Sequence, residues 1–318
     1  MGRTVLKVLK TLLERLFMRL PNFLLAGFEK CGTTSIYNYL NQHSQIYMSP
    51  VKEPNFLERD WNHFIGTRRT RIDTLEKYQQ LFAQVEDHHL SIGEASPNLL
   101  FHFQDSIPQI KKYVPDAKII AVLRDPVERA YSDYLMLIRD EIKGNDRSLM
   151  EQLQSSPHSS YTLRKGLYYQ PVQQFLDQFG NDRFQVFLYE DFARDTLTFM
   201  QKIYEYLEVK SDFVPDVSQK NQVSEVPRFR SINKMLRTSN PLRNFIATGL
   251  RLVMPVDLRQ NLRSALLNLN AQDKSARPLS DQERSALSQY YYDDVLRLQD
   301  LIQRDLSHWT PLRQSPRE

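Results

Sequence analysis

Phe23-Leu24-Leu25-Ala26-Gly27-Phe28-Glu29-Lys30-Cys31-Gly32-Thr33-Thr34-Ser35-Ile36-Tyr37-Asn38-Tyr39-Leu40 is the stretch on which the fold turns. Its first residues form an apolar run without polar alternation, the pattern of a strand buried on both faces. Residues 34–40 read as the helix that follows. The loop between them brings unpaired backbone N–H groups and a positive helix end to one place, and its glycines let the backbone approach an anion closely. Gly27 and Gly32 are spaced as in a P-loop, with the hydroxyls of Thr33 and Thr34 after the second glycine. One chemical detail differs: the lysine, Lys30, lies inside the loop, and Thr33 stands where a Walker A motif carries its lysine. A kinase or NTPase needs that later lysine at the β/γ-phosphates. The arrangement here suits a 5′-phosphate that bears one transferable group beside Lys30.

Outward from this unit the pattern repeats. Residues 118–123 (Lys-Ile-Ile-Ala-Val-Leu) are the clearest central strand, and a helix over about 126–139 follows. A short strand at 91–94, a helical stretch at 74–82, a helix at 168–179, a strand at 184–189 and a helix at 196–207 complete the series. Strands separated by helices give parallel βαβ units with right-handed crossovers. The expected fold class is α/β: a P-loop-like doubly wound parallel sheet flanked by helices, in a single domain over 21–310, with ligands beyond the carboxyl ends of the strands. Residues 211–280, with five prolines, read as loops and short helices. Residues 281–306 read as a packing helix with Ser280 as its N-cap.

The 318 residues are 41% hydrophobic and 25% charged, enough for a sizeable core. There are 42 basic and 38 acidic residues, and the net +4 is located entirely in residues 1–20, where Arg3, Lys7, Lys10, Arg15 and Arg19 face only Glu14. The body is neutral, which disfavours a duplex nucleic-acid surface. Residues 1–20 also repeat apolar positions at helical spacing up to Pro21. This predicts an amphipathic helix, either docked on the domain or resting as a basic helix on a membrane surface. Cys31 is the only cysteine, which rules out an intramolecular disulfide and a Cys-based zinc site and fits a reducing compartment. No apolar run is long enough to span a bilayer, and residues 1–20 lack the features of a secretory signal. The expected location is cytoplasmic, with peripheral contact at the inner membrane surface if the helix binds there.

A second anion site is written into Ala121-Val122-Leu123-Arg124-Asp125-Pro126, where Arg124 emerges at a strand's carboxyl end and Pro126 opens a helix. An Arg fork with the hydroxyl of Ser132, two turns on, would hold a dianionic phosphate. The competing reading is an Arg124–Asp125 ion pair. Arg129 reads as an ion-pair partner of Glu128, Asp133 or Asp125, and His43 as a capping or packing residue.

Residues 28–35, with Tyr37-Asn38-Tyr39-Leu40, Gln42-His43 and Lys52-Glu53-Pro54-Asn55-Phe56, resemble the sulfotransferase family that uses 3′-phosphoadenosine 5′-phosphosulfate (PAPS), in its bacterial and heparan-sulfate-type branch. The resemblance covers most of 22–210 and, more loosely, 280–310. It implies that Lys30, Cys31, Gly32, Thr33, Thr34 and Ser35 hold the 5′-phosphosulfate and that Arg124 and Ser132 hold the 3′-phosphate. The basic stretch from Lys220 to Arg230 is similar to a late loop that closes over the nucleotide, which would add Arg228 and Arg230, and Arg164-Lys165-Gly166-Leu167-Tyr168 is similar to a segment lining the acceptor side. Glu94, before Ala95-Ser96-Pro97, stands where the glycan-type branch carries its catalytic base; the family's next residue is lysine, here Ala95. The alternative for Glu94 is a salt bridge to Lys30 or Arg124.

The implied activity is transfer of the sulfuryl group of PAPS, without a metal, to a hydroxyl or amine of a glycan or glycolipid. Lys30 would act as acid or electrostatic catalyst. A P-loop-like nucleotide kinase and a non-catalytic nucleotide-binding protein are the competing readings. Residues 311–318 are a tail.

Overall fold

In the computed structural model the apolar run becomes β1 (Phe23–Gly27), buried at every position. The structure describes residues 19–58, 72–141, 147–218, 225–229, 269–273 and 278–310, with Asn233, Leu258, Ala265 and Leu266. After β1 come α1 (Thr33–Leu40), β2 (Ile46–Met48), α2 (Leu75–Gln80), β3 (Ser91–Ala95), α3 (Phe103–Tyr113), β4 (Lys118–Leu123) and α4 (Pro126–Asp140). The chain continues through α5 (Leu149–Ser155), α6 (Tyr161–Arg164), α7 (Tyr169–Arg183), β5 (Phe184–Leu188), α8 (Tyr189–Arg194) and α9 (Thr196–Tyr206). Last are β6 (Glu225–Pro227), β7 (Ala271–Asp273) and α10 (Asp281–Ile302).

Strands β1 to β5 form one sheet in the order β2-β3-β1-β4-β5, and every pairing is parallel. This is the flanked α/β sheet expected from the alternation of strands and helices. β1 sits at the centre, with β3 on one side and β4 on the other, so the chain order reverses direction there. The carboxyl ends of three neighbouring strands therefore converge where a ligand of an open α/β sheet binds. The register sets Leu24 beside Glu94 and Gly27 beside Val122.

The chain divides into two compact units. The first (Met1–Asp125, Tyr168–Asn221, Arg297–Arg304) contains the whole sheet, with a core that includes Leu24, Leu25, Ile119, Ile120 and Val122, all fully buried. The second (Pro126–Leu167, Gln222–Leu296, Asp305–Glu318) contains α4, α5, α6, the antiparallel pair β6–β7 and most of α10. Its interior holds the fully buried Arg129, which donates to the carbonyl of Thr162 and lies 3.6 Å from Asp133, one of its three expected partners. Another, Glu128, instead bonds Arg284 at 2.6 Å.

Several local expectations are corrected. β2, α3, α5, α6 and α8 have no counterpart in the pattern reading: β2 has three residues, α6 has four, and α3 contains Pro108. The stretch read as loops and short helices contains the pair β6–β7. The last helix stops at Ile302 rather than 306, because Gln303 takes a left-handed φ of 51°. The helix expected over 1–20 lies outside the described residues except for Arg19 and Leu20, and so does the tail 311–318. No helix among the described residues is long and apolar enough to cross a membrane.

Candidate active site

The loop between β1 and α1 takes its shape from backbone conformations that few residues adopt. Gly27 has φ 113°, and a Cβ there would lie 2.5 Å from the carbonyl oxygen of Val122, so β1 and β4 close together only over a glycine. Gly32 caps α1 with φ 83° and ψ 5°, and Lys30 also takes a positive φ, 72°. For lysine that conformation costs about 1–2 kcal/mol, so the surrounding structure holds it in place. Gly32 has no side chain with which to cap the first-turn amides, and the first turn of α1 carries no acid. The positive end of the helix is thus left to an external anion. Cys31 and Thr33 are buried; Lys30, Thr34 and Ser35 are half-buried.

Arg124 leaves the carboxyl end of β4 and meets this loop. Its Nη1 donates to the carbonyl of Lys30 at 3.1 Å, although the two residues are 94 positions apart. The guanidinium lies over the ring of Tyr189 at 4.6 Å. Tyr168, whose ring packs on Phe28 at 4.8 Å, donates its hydroxyl to the Arg124 carbonyl at 2.9 Å. Glu190 accepts the N–H of Asp125 at 2.9 Å. Arg124 is thus a planar five-donor group held on both its side chain and its backbone, a geometry that can fork onto a phosphate.

The chain after β3 joins the same end of the sheet. The Ser96 N–H donates to the Leu25 carbonyl at 3.1 Å, and Asn98 donates to Glu29 at 3.0 Å. The Glu53 N–H donates to the Ala95 carbonyl at 2.8 Å, and Lys52 pairs with Glu53 at 2.8 Å. This places the 52–56 segment beside β3.

Glu94 lies within β3, fully buried, and the groups that act on its carboxyl include no cation. It is therefore not the salt-bridge partner of Lys30 or Arg124 that the alternative required. The hydroxyls of Tyr78 and Ser96, equally buried, face it and are the hydrogen-bonding groups that act on it. The Tyr78 ring is fixed by Phe56, stacked at 4.5 Å, and by Phe82, edge-on at 5.4 Å. Burial pushes the Glu94 carboxyl up to about 8 from its ordinary 4.5, and the two hydroxyls, which favour the ionised form, offset only part of that. Burial and then the neighbouring Glu94 raise the Tyr78 hydroxyl. A carboxyl in this range is tuned for proton transfer near neutral pH.

The first unit thus brings Lys30, its loop, Arg124 and Glu94 to adjacent strands. Ser132 lies in the second unit, buried on α4. Arg228 is also in the second unit, with an exposed side chain and its N–H on the Asn270 carbonyl at 2.6 Å. Lys220 and Arg230 lie outside the described residues. His43 is a packing residue as read: it is buried, accepts from the Gln45 N–H at Nδ1, donates from Nε2 to the Lys210 carbonyl, and packs on Tyr204 and Phe213. Tyr78, Tyr189 and Glu190 belong to the site without having been assigned to it, and Tyr168, read as part of a segment on the acceptor side, holds the Arg124 carbonyl. Tyr189 and Glu190 had one available signal, because they directly follow β5 at the carboxyl edge of the sheet. Tyr78 had none, being an ordinary helical aromatic until the fold sets it against Glu94.

Residues 20–247 match the family model described as a sulfotransferase domain. A solved sulfotransferase from Alicyclobacillus acidocaldarius is 30% identical, with a TM-score of 0.62, covering 92% of this chain and 99% of that one. Carbohydrate sulfotransferase 15 of Mus musculus is 28% identical over an alignment of 244 residues that covers 59% of this chain and 44% of the relative. The human bifunctional heparan sulfate N-deacetylase/N-sulfotransferase 3 is 27% identical over 205 residues, 62% of this chain and 23% of that protein. The chain therefore spans less than half the length of these two relatives.

Proposed function

We propose that this chain, which belongs to the sulfotransferase family, moves the sulfuryl group of PAPS to a hydroxyl or amine of a glycan or glycolipid acceptor. The observation that carries the reading is the uncapped loop and helix end at Gly27–Gly32, with Arg124 bonded to the Lys30 carbonyl. The acceptor class is supported by the relatives, whose names denote action on carbohydrate and heparan sulfate.

PAPS supplies an SO₃ unit on a phosphate leaving group. The loop amides and the hydroxyls of Thr33 and Thr34 would hold the 5′-phosphate, with Cys31, Gly32 and Ser35 completing the cradle. The Lys30 ammonium would stabilise the bridging oxygen as charge develops on it. Arg124 would take the 3′-phosphate as a fork, and the sequence resemblance assigns Ser132 to that phosphate and Arg228 and Arg230 to the nucleotide. In the transfer, the S–O bond to the phosphate breaks, a bond from sulfur to the acceptor atom forms, and the acceptor's proton passes to Glu94. Glu94 is sealed from solvent, so the acceptor group must enter beside it. Residence in a reducing cytoplasm, with membrane contact through residues 1–20, belongs to the same reading and is supported by Cys31 as the sole thiol, buried in the loop. Cell fractionation with and without residues 1–20 tests it.

The deciding experiment is mass spectrometry of cell-extract glycans and glycolipids incubated with the folded protein and PAPS. A product heavier by one SO₃ is expected. Its absence from every extract, with PAPS bound, would overturn the proposal.

A further inference from the structure

A cavity of about 520 Å³ opens along the outer edge of β2, between the far end of α1 and the 84–89 segment. Its wall contains no Lys, Arg, Asp or Glu. It does hold three histidines, of which His88 lies 3.4 Å from the Glu86 carboxylate, so an ionic ligand would lose hydration there without gaining a fixed counter-charge and the wall suits an uncharged ligand. Its aromatic faces are already fixed. Tyr37 donates its hydroxyl to the Ser49 carbonyl at 2.7 Å, and Tyr47 donates to the Leu81 carbonyl at 3.0 Å. The His89 ring meets Tyr47 edge-on at 5.4 Å. Asn41, Gln84 and His88 line the rim with exposed polar groups. Rigid rings offer apolar contact at little entropic cost, and amides set around them bond hydroxyl groups.

We propose that this cavity binds neutral saccharide units. Its upper end, at Pro50, adjoins the carboxyl end of β3, because the Ser49 and Glu53 N–H groups bond the carbonyls of Gly93 and Ala95 on either side of Glu94. A chain of sugars in the cavity would lead toward that carboxyl. Identifying those sugars as part of the acceptor rests on the glycan-sulfotransferase reading; their binding does not.

The test is saturation-transfer NMR of the full chain with maltotriose, cellotriose and chitotriose, using a heparin tetrasaccharide as the anionic comparison. At least one neutral trisaccharide is expected to bind, with affinity reduced about tenfold or more by Tyr47→Ala and by His88→Ala, the latter an exposed position that leaves the core intact. No binding by any neutral trisaccharide, preference for the anionic probe, or binding that survives both substitutions overturns the proposal. Sulfuryl transfer without trisaccharide binding would remove this site and leave the enzymatic reading standing. Trisaccharide binding without transfer would do the reverse.

Discussion

Replacing Glu94 by glutamine removes one titration from an otherwise unchanged interior. In the folded chain this carboxyl holds its proton up to about pH 8, whereas its ordinary value is 4.5. Between those values the folded form binds a proton that the unfolded form releases, so stability falls as pH rises. Below 4.5 both forms are protonated and nothing is lost; above 8 the full loss has been taken. Each pH unit in that window costs about 1.4 kcal/mol. Between pH 5 and pH 9 the wild-type chain should therefore lose about 4 kcal/mol relative to Glu94→Gln, a divergence in Tm of roughly 5–8 °C for a chain of this size. The assay is thermal unfolding of both proteins at pH 5, 7 and 9. All other groups titrate alike in the two, so only the difference between the curves matters. Parallel curves would show that Glu94 ionises normally and would remove the basis for treating it as a tuned base. The same substitution should lower sulfuryl transfer by about 10²–10⁴-fold and abolish the rise of wild-type activity with pH toward 8.

Tyr78→Phe removes a hydroxyl that favours the ionised carboxylate, so the activity–pH limb should move upward while affinity for the donor stays the same; an unmoved limb would detach Tyr78 from the base. Lys30→Ala should lower kcat by about 10²–10³-fold, the cost of losing one donor at a developing charge, and a change confined to KM would instead make Lys30 a binding residue. Arg124→Lys should weaken 3′-phosphoadenosine 5′-phosphate by about 1.5–3 kcal/mol in a calorimetric titration, because a lysine cannot reproduce the fork; equal affinity would argue against a phosphate at Arg124. Gly27→Ala sets a Cβ against the Val122 carbonyl at a φ of 113°, and a loss of 2 kcal/mol or more in a denaturant titration is expected.

The parts of this protein that could be read locally are those whose physics is local. The run Phe23–Gly27 is apolar on both faces, which defines a central strand by solvation alone, and two glycines before a helix define a tight turn by backbone sterics. Lys118–Leu123 followed by Arg124, Asp125 and Pro126 is legible for the same reason. β2 is not, because three residues carry no period; it becomes a strand only by pairing with β3. The pair β6–β7 likewise joins segments more than forty residues apart, within a stretch whose prolines suggest loops.

The sequence by itself determined the alternation of strands and helices, the glycine-bounded loop with Lys30, the strand-end arginine and the glutamate before Ser96-Pro97, since each depends on neighbours along the chain. Only the tertiary structure decided that β1 lies between β3 and β4, and hence that Arg124 reaches the Lys30 carbonyl from 94 residues away while Tyr189 and Tyr168 hold it there. It also decided the character of Glu94. A carboxyl's basicity is set by what surrounds it in space, and it was the fold that enclosed this one with the Tyr78 and Ser96 hydroxyls instead of pairing it with a cation.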